Sequence, residues 1–228
     1  MPARLPDNPK FYQKRFMPMR HARLFPWLLA LALPVTVLAN PYERQLANGL
    51  RIIVKEDRRA PTVAHMVWYR AGSMDEKNGT TGVAHVLEHM MFKGTPAAGP
   101  GEFNRRVAAA GGRDNAFTSR DYTAYFQQVP KHKLSDMMQL EADRMRHLTL
   151  DSGEFAQEIR VVMEERRLRT EDQPQALLFE QLMATALQAH PYRVPIIGWM
   201  NDLENMTATD ARAWYESWYV PNNAYVVV

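Results

Sequence analysis

Cysteine is absent from all 228 residues, which removes disulfides, thiol nucleophiles and thiolate-held zinc or iron–sulfur sites. A metal here would have to be held by histidine and carboxylate, donors that suit catalytic zinc better than structural zinc. The apolar run from Leu24 to Leu38 is shorter than the roughly 20 residues a spanning helix needs, and Pro26 and Pro34 interrupt it. Charge of one sign is scarce too. The formal net charge of +3 comes from residues 1–39, which hold six Lys and Arg against one Asp. Residues 40–228 carry 22 basic against 24 acidic side chains, a balance of −2. Nucleic-acid binding therefore has no net basic charge to support it.

The opening residues have a different character from the rest. Lys10, Lys14, Arg15, Arg20 and Arg23 precede the apolar run, which ends in the small-residue pattern Val37-Leu38-Ala39. This predicts a signal peptide over residues 1–39, with Met17 and Met19 as alternative starts. Cleavage would leave no stable membrane insertion. The basic leader and the missing cysteines fit a periplasmic or secreted bacterial protein.

Residues 40–228 show no repeat, low-complexity segment or linker, and read as one domain. Apolar residues make up 46% of the chain, ample for a packed core. Asn48-Gly49 predicts a turn before a strand Arg51–Lys55, and Thr62–Arg70 predicts a second strand. Two more, Asn115–Thr118 and Thr123–Val129, flank a turn at Ser119-Arg120-Asp121. Helices are expected over Glu102–Ala110, Leu134–Leu148, Pro174–Leu187 and Thr207–Trp218. A further helix, capped by Asp151, should run to about Arg169, and Tyr225–Val228 reads as a strand. In Leu134–Leu148, Met137, Met138 and Met145 read as core filler. The order of elements predicts an α+β fold, a mainly antiparallel sheet packed by helices.

The most informative stretch is His85-Val86-Leu87-Glu88-His89. Residues four apart share a helix face, so His85 and His89 can direct both imidazoles at one ion. Glu88 lies beside that face, where a carboxylate can take a proton from a water. This is the inverted H-x-x-E-H order of zinc hydrolases, on a helix that Thr80 or Thr81 can cap. A third ligand is needed. On the helix Ser152–Arg169, Glu158 and Glu165 are two turns apart on one face, so one can ligate while the other supports it. Glu164 is the neighbouring alternative. His65, His132, His147 and His190 have no partner spacing and read as packing or surface residues.

Three blocks in order resemble one family. Gly82-Val83-Ala84 before the His85–His89 motif, with Met90–Thr95 after it, is similar to the pitrilysin, insulinase and mitochondrial processing peptidase family of zinc peptidases. Gly111–Ser119 resembles a second block of that family, and Glu158 with Val161–Arg167 a third. The resemblance implies His85, His89 and Glu165 as zinc ligands, Glu88 as general base, and Glu158 as the supporting carboxylate. It also implies that Asn115, Ala116, Phe117 and Thr118 form an edge strand pairing with a peptide or unfolded-protein substrate. Bacterial members of this kind have a second, similar domain, so the chain is expected to be the N-terminal metallopeptidase domain and to need that domain or a partner subunit. The competing expectation is a non-catalytic scaffold with a peptidase-like fold.

Overall fold

The computed structural model describes residues 41–228; the expected signal peptide lies outside them. Six strands form one sheet: β1 (Tyr42–Gln45), β2 (Arg51–Val54), β3 (Thr62–Tyr69), β4 (Arg113–Thr118), β5 (Thr123–Pro130) and β6 (Ala224–Val227). Their order is β1-β2-β6-β3-β5-β4, antiparallel throughout except for the parallel pair β2–β6. The last strand in sequence thus sits in the middle of the sheet. β3 and β5 pair along their whole length, from Thr62↔Pro130 to Tyr69↔Thr123, and β4 forms an edge.

Seven α-helices accompany the sheet among the described residues: α1 (Val83–Met90), α2 (Glu102–Ala109), α3 (Leu134–His147), α4 (Ser152–Arg166), α5 (Pro174–Ala186), α6 (Met200–Asn205) and α7 (Ala208–Trp218). The expected α+β architecture is what forms. Met138 departs from its expected core role: it is exposed, while Met137 is buried. Successive residues are turned by 100°, so only one of two adjacent methionines can face the sheet. α6 was not foreseen, being short and polar (MNDLEN).

The main core joins α1 to the sheet and to α4 and α7. Val83, Ala84, Val86, Leu87 and Met90 of α1 pack with Tyr69, Tyr125, Val162, Leu203 and Trp214. Each large apolar side chain fully removed from water contributes about 1.5–3 kcal/mol, so α1 is held by its apolar face. That face leaves His85, Glu88 and His89 on the other side.

The start of α1 differs from the expected threonine cap. Its N-cap is Gly82, at φ 89°, with no side-chain cap bond. Thr81 Oγ1 instead donates to Asp202 Oδ2 at 2.5 Å, and Thr80 Oγ1 to the Lys77 carbonyl. Two N–H groups at the helix start go to Glu76, whose carboxyl accepts from Gly82 N at 2.8 Å and Ala84 N at 2.9 Å, while Val83 N donates to the Thr80 carbonyl. A glycine is required at position 82: a Cβ there would lie 2.6 Å from the Ile197 carbonyl oxygen, besides straining the left-handed backbone.

α4 begins as expected, with Asp151 accepting from Gly153 N and Glu154 N. It ends earlier than expected. After Arg166 the backbone widens into a π-helical turn, Arg167–Glu171, before Pro174 opens α5. Arg166 is tied here by two 2.9 Å bonds to Glu180 on α5 and a 2.8 Å bond to the Gly198 carbonyl. The buried pair fastens α4, α5 and the loop before α6 into one wall.

Candidate metal centre and catalytic cleft

Helix α1 presents His85 and His89 on one face, their ring centroids 4.7 Å apart. α4 brings Glu165 against them: its Oε2 lies 3.8 Å from His85 Nε2 and 3.4 Å from His89 Nε2. Donor atoms of all three residues fall within 4.8 Å of one another. Ligands about 2.0–2.2 Å from a tetrahedral zinc are separated by about 3.3–3.6 Å. The donor set and its spacing therefore fit zinc. Glu164, the sequence alternative, instead pairs with Arg167 at an exposed position.

The two imidazoles are supported differently. His89 Nδ1 is 2.8 Å from Glu158 Oε1, and the other Glu158 oxygen meets Lys93 Nζ. Glu158 thus holds the nitrogen that faces away from Glu165, as a carboxylate beside a metal-ligating histidine does. The hydrogen bond from His89, with Lys93, holds the Glu158 carboxyl down to about 2. Burial pulls the His89 pKa down, but the Glu158 hydrogen bond and the charges of Glu158, Glu165 and Glu88 outweigh it and raise it. His85 has no such partner: its Nδ1 is buried and unbonded. Burial, then the neighbouring His89 and Arg169, push its pKa down to about 3, which keeps the ring neutral, the form that ligates a metal.

Glu88 stands beside the histidines and accepts a hydrogen bond from Thr118 Oγ1 at the end of β4. Burial raises its pKa above the ordinary carboxylate value although the Thr118 bond opposes this. Such a carboxyl is a better proton acceptor than an exposed one. Arg169, four residues after Glu165, binds its second oxygen at 2.6 Å. That spacing is legible in the sequence. Lys93 reaches Glu158 from the turn after α1, a contact with no local signature.

A cleft of about 660 Å³ opens over this group. Asn115, Ala116, Phe117 and Thr118 line one side, and Phe179, Met183 and Ile196 contribute to the other. β4 pairs with β5 from Arg113↔Gln128 to Thr118↔Thr123, so its outer edge is unpaired among the described residues and faces the cleft. The Thr118 side chain is engaged by Glu88, whereas Asn115 is exposed. The other histidines are structural or peripheral: His65 is buried against Gln127, His147 meets Asp143, and His190 accepts from Tyr192 N.

The family model described as insulinase (peptidase family M16) matches residues 51–198. The chain belongs to this family. It is 39% identical over 184 residues to the zinc protease PqqE of Helicobacter pylori, an alignment covering 80% of this chain and 41% of that protein. A probable mitochondrial-processing peptidase subunit beta of Arabidopsis thaliana is 29% identical over 192 residues, covering 83% and 36%. Among solved structures, a protease from Helicobacter pylori superposes with a TM-score of 0.81 at 36% identity, over 83% of this chain and 46% of that one. The first half of the periplasmic protease PqqL from Escherichia coli gives 0.74 at 26% identity, over 82% and 42%. The chain thus spans less than half the length of these family members.

Proposed function

We propose that this chain is the N-terminal catalytic domain of an exported zinc endopeptidase. The observation that carries the reading is the meeting of His85, His89 and Glu165 Oε2 beside a half-buried Glu88. His85, His89 and Glu165 would hold the metal. Zinc bound there would supply Lewis acidity, polarising a carbonyl and making a water more acidic. Glu88 would take the proton of the attacking water and return it to the departing amine. The Thr118 hydroxyl fixes the Glu88 carboxylate for that transfer, and Glu158 fixes the ring of His89. The open edge of β4 supports main-chain pairing with an extended peptide or unfolded protein, which gives affinity with little sequence preference.

The greater length of the relatives supports a requirement for a second homologous domain or subunit to orient the substrate. The periplasmic relative PqqL supports the same location here. The test is zinc content and cleavage of a quenched peptide by residues 40–228, with and without a supplied second domain, against Glu88→Gln. One zinc per chain and Glu88-dependent cleavage are expected. A folded chain that takes up no zinc would reject the ligand set. Zinc uptake without cleavage, even with a matching second domain, would leave a scaffold.

A further inference from the structure

The cleft has a charged end that the hydrolytic machinery does not use. Of the carboxylates lining it, Glu88 and Glu165 belong to the centre already described, and Glu180 is held by both nitrogens of the Arg166 fork. Of the lining cations, Arg169 is paired with Glu165. Arg120 and Arg193 remain, and neither makes an ion pair among the described residues. Arg120 lies in the turn two residues beyond Thr118, at the end of β4 where Thr118 meets Glu88. Its guanidinium sits 5.4 Å over the Tyr192 ring, and its Nε is buried without a hydrogen-bond partner. Arg193 follows Tyr192 in sequence, is exposed, and gives one N–H to the Gln188 carbonyl.

Tyr192 fastens this end of the cleft together. Its hydroxyl lies 2.7 Å from both oxygens of Asp121, which joins the β4–β5 turn to the 191–197 loop. Asp121, next to Arg120 in sequence, accepts this hydroxyl and is not part of the cleft lining. Two arginines without carboxylate partners among the described residues thus line the cleft, one of them just past the Thr118 end of β4. Guanidinium groups with spare N–H donors match carboxylates.

Resting on the peptidase reading above, we propose that Arg120 and Arg193 form a subsite for an acidic side chain of the extended substrate. It lies on the Thr118 side of the reacting bond, and it disfavours lysine or arginine at the same place. The preferred substrates are then extended peptides with Asp or Glu a short way along from the bond that is cut.

The test is binding by the zinc-loaded Glu88→Gln chain, which spares the peptide from cleavage. The probes are short peptides capped at both ends, so that no terminal carboxylate competes, each bearing a neutral fluorophore. They differ only in carrying Glu, Gln or Lys at one scanned position. At one position Glu should bind about fivefold tighter than Gln, and Lys weaker than Gln, with the preference shrinking at high salt. Arg193→Glu, an exposed change that leaves the core alone, should remove or reverse that order, and Arg120→Glu should do the same if its melting temperature shows it folded. Equal binding of all three peptides at every position, or an order unchanged in Arg193→Glu, would overturn the subsite while leaving the peptide cleft standing. Failure of every peptide to bind, with and without a supplied second domain, would instead reject the peptide cleft, and the subsite with it.

Discussion

The two histidines of the motif are the same residue on the same helix, one turn apart, yet they are held by different means. The ring of His89 is placed by Glu158 and Lys93, which fix its Nδ1. The ring of His85 has no hydrogen bond at Nδ1, so it is placed through its main chain. Ala84 N, immediately before it, is bound by Glu76, and Gly82 is wedged against Ile197 and Gly198. A local motif can therefore be served by two supports, one electrostatic and one mechanical. Perturbing each separately should show different losses.

Removing either ring is the largest perturbation. His85→Ala and His89→Ala should each lower zinc affinity by about a thousandfold, since each would lose one of the three proposed protein ligands. Chelator competition with a chromophoric indicator measures this. Retention of near-native affinity by either variant would exclude that histidine from the ligand set.

Next comes the packing that carries both. Leu87, wholly buried between the two histidines in sequence, anchors α1 to the core. Leu87→Ala should cost about 2–5 kcal/mol of stability in the metal-free chain, read from urea unfolding. Zinc should recover part of this by mass action. A loss under about 1 kcal/mol would mean that α1 is held by its ends and not by its face.

Glu158→Gln then separates the two histidines. It should weaken zinc binding about 10–100-fold while the fold persists, because only His89 leans on that carboxylate. Nitrogen NMR of the zinc-loaded imidazoles gives the discriminating signal: the His89 Nδ1 resonance should move and that of His85 should stay. Equal movement of both would dissolve the distinction.

These contrasts also mark what the sequence could disclose. His85, Glu88 and His89 were legible because their relation is local, set by 3.6 residues per turn. Glu158 and Glu165 were legible as a pair on one face, but selecting Glu165 as the candidate ligand needed a resemblance. Its approach to the histidines is a tertiary event, set by packing of α4 on α1 and by the Arg166–Glu180 tie. The strand Ala224–Val227 could be foreseen from its valines, but its place between β2 and β3 could not. Hydrogen-bond partners of an inner strand lie far off in sequence, Val226 opposite Val67 for example. The cap of α1 was misread for a related reason. Cap rules look at the residue just before the helix, whereas Glu76 reaches it from a turn six residues before Gly82.

The mechanical support should leave the smallest and most pH-dependent trace. Burial pushes the Glu76 carboxyl up to about 8, although the N–H groups of Gly82 and Ala84 pull against it, and Asp75 and Asp202 add to the rise. Its ordinary value is 4.5. Between these two values the folded chain keeps a proton that the unfolded chain has released. The contribution is therefore complete below about pH 4.5 and is lost as pH rises toward about 8. Glutamine cannot ionise but also cannot accept both N–H groups equally well. Glu76→Gln should thus be the less stable form at the acid end, and the gap should close by about 1–3 kcal/mol across the interval. Urea unfolding of the two metal-free chains at several pH values reads this directly. Parallel stability curves would show that Glu76 keeps its charge at the helix end, and that its two backbone bonds outweigh its burial.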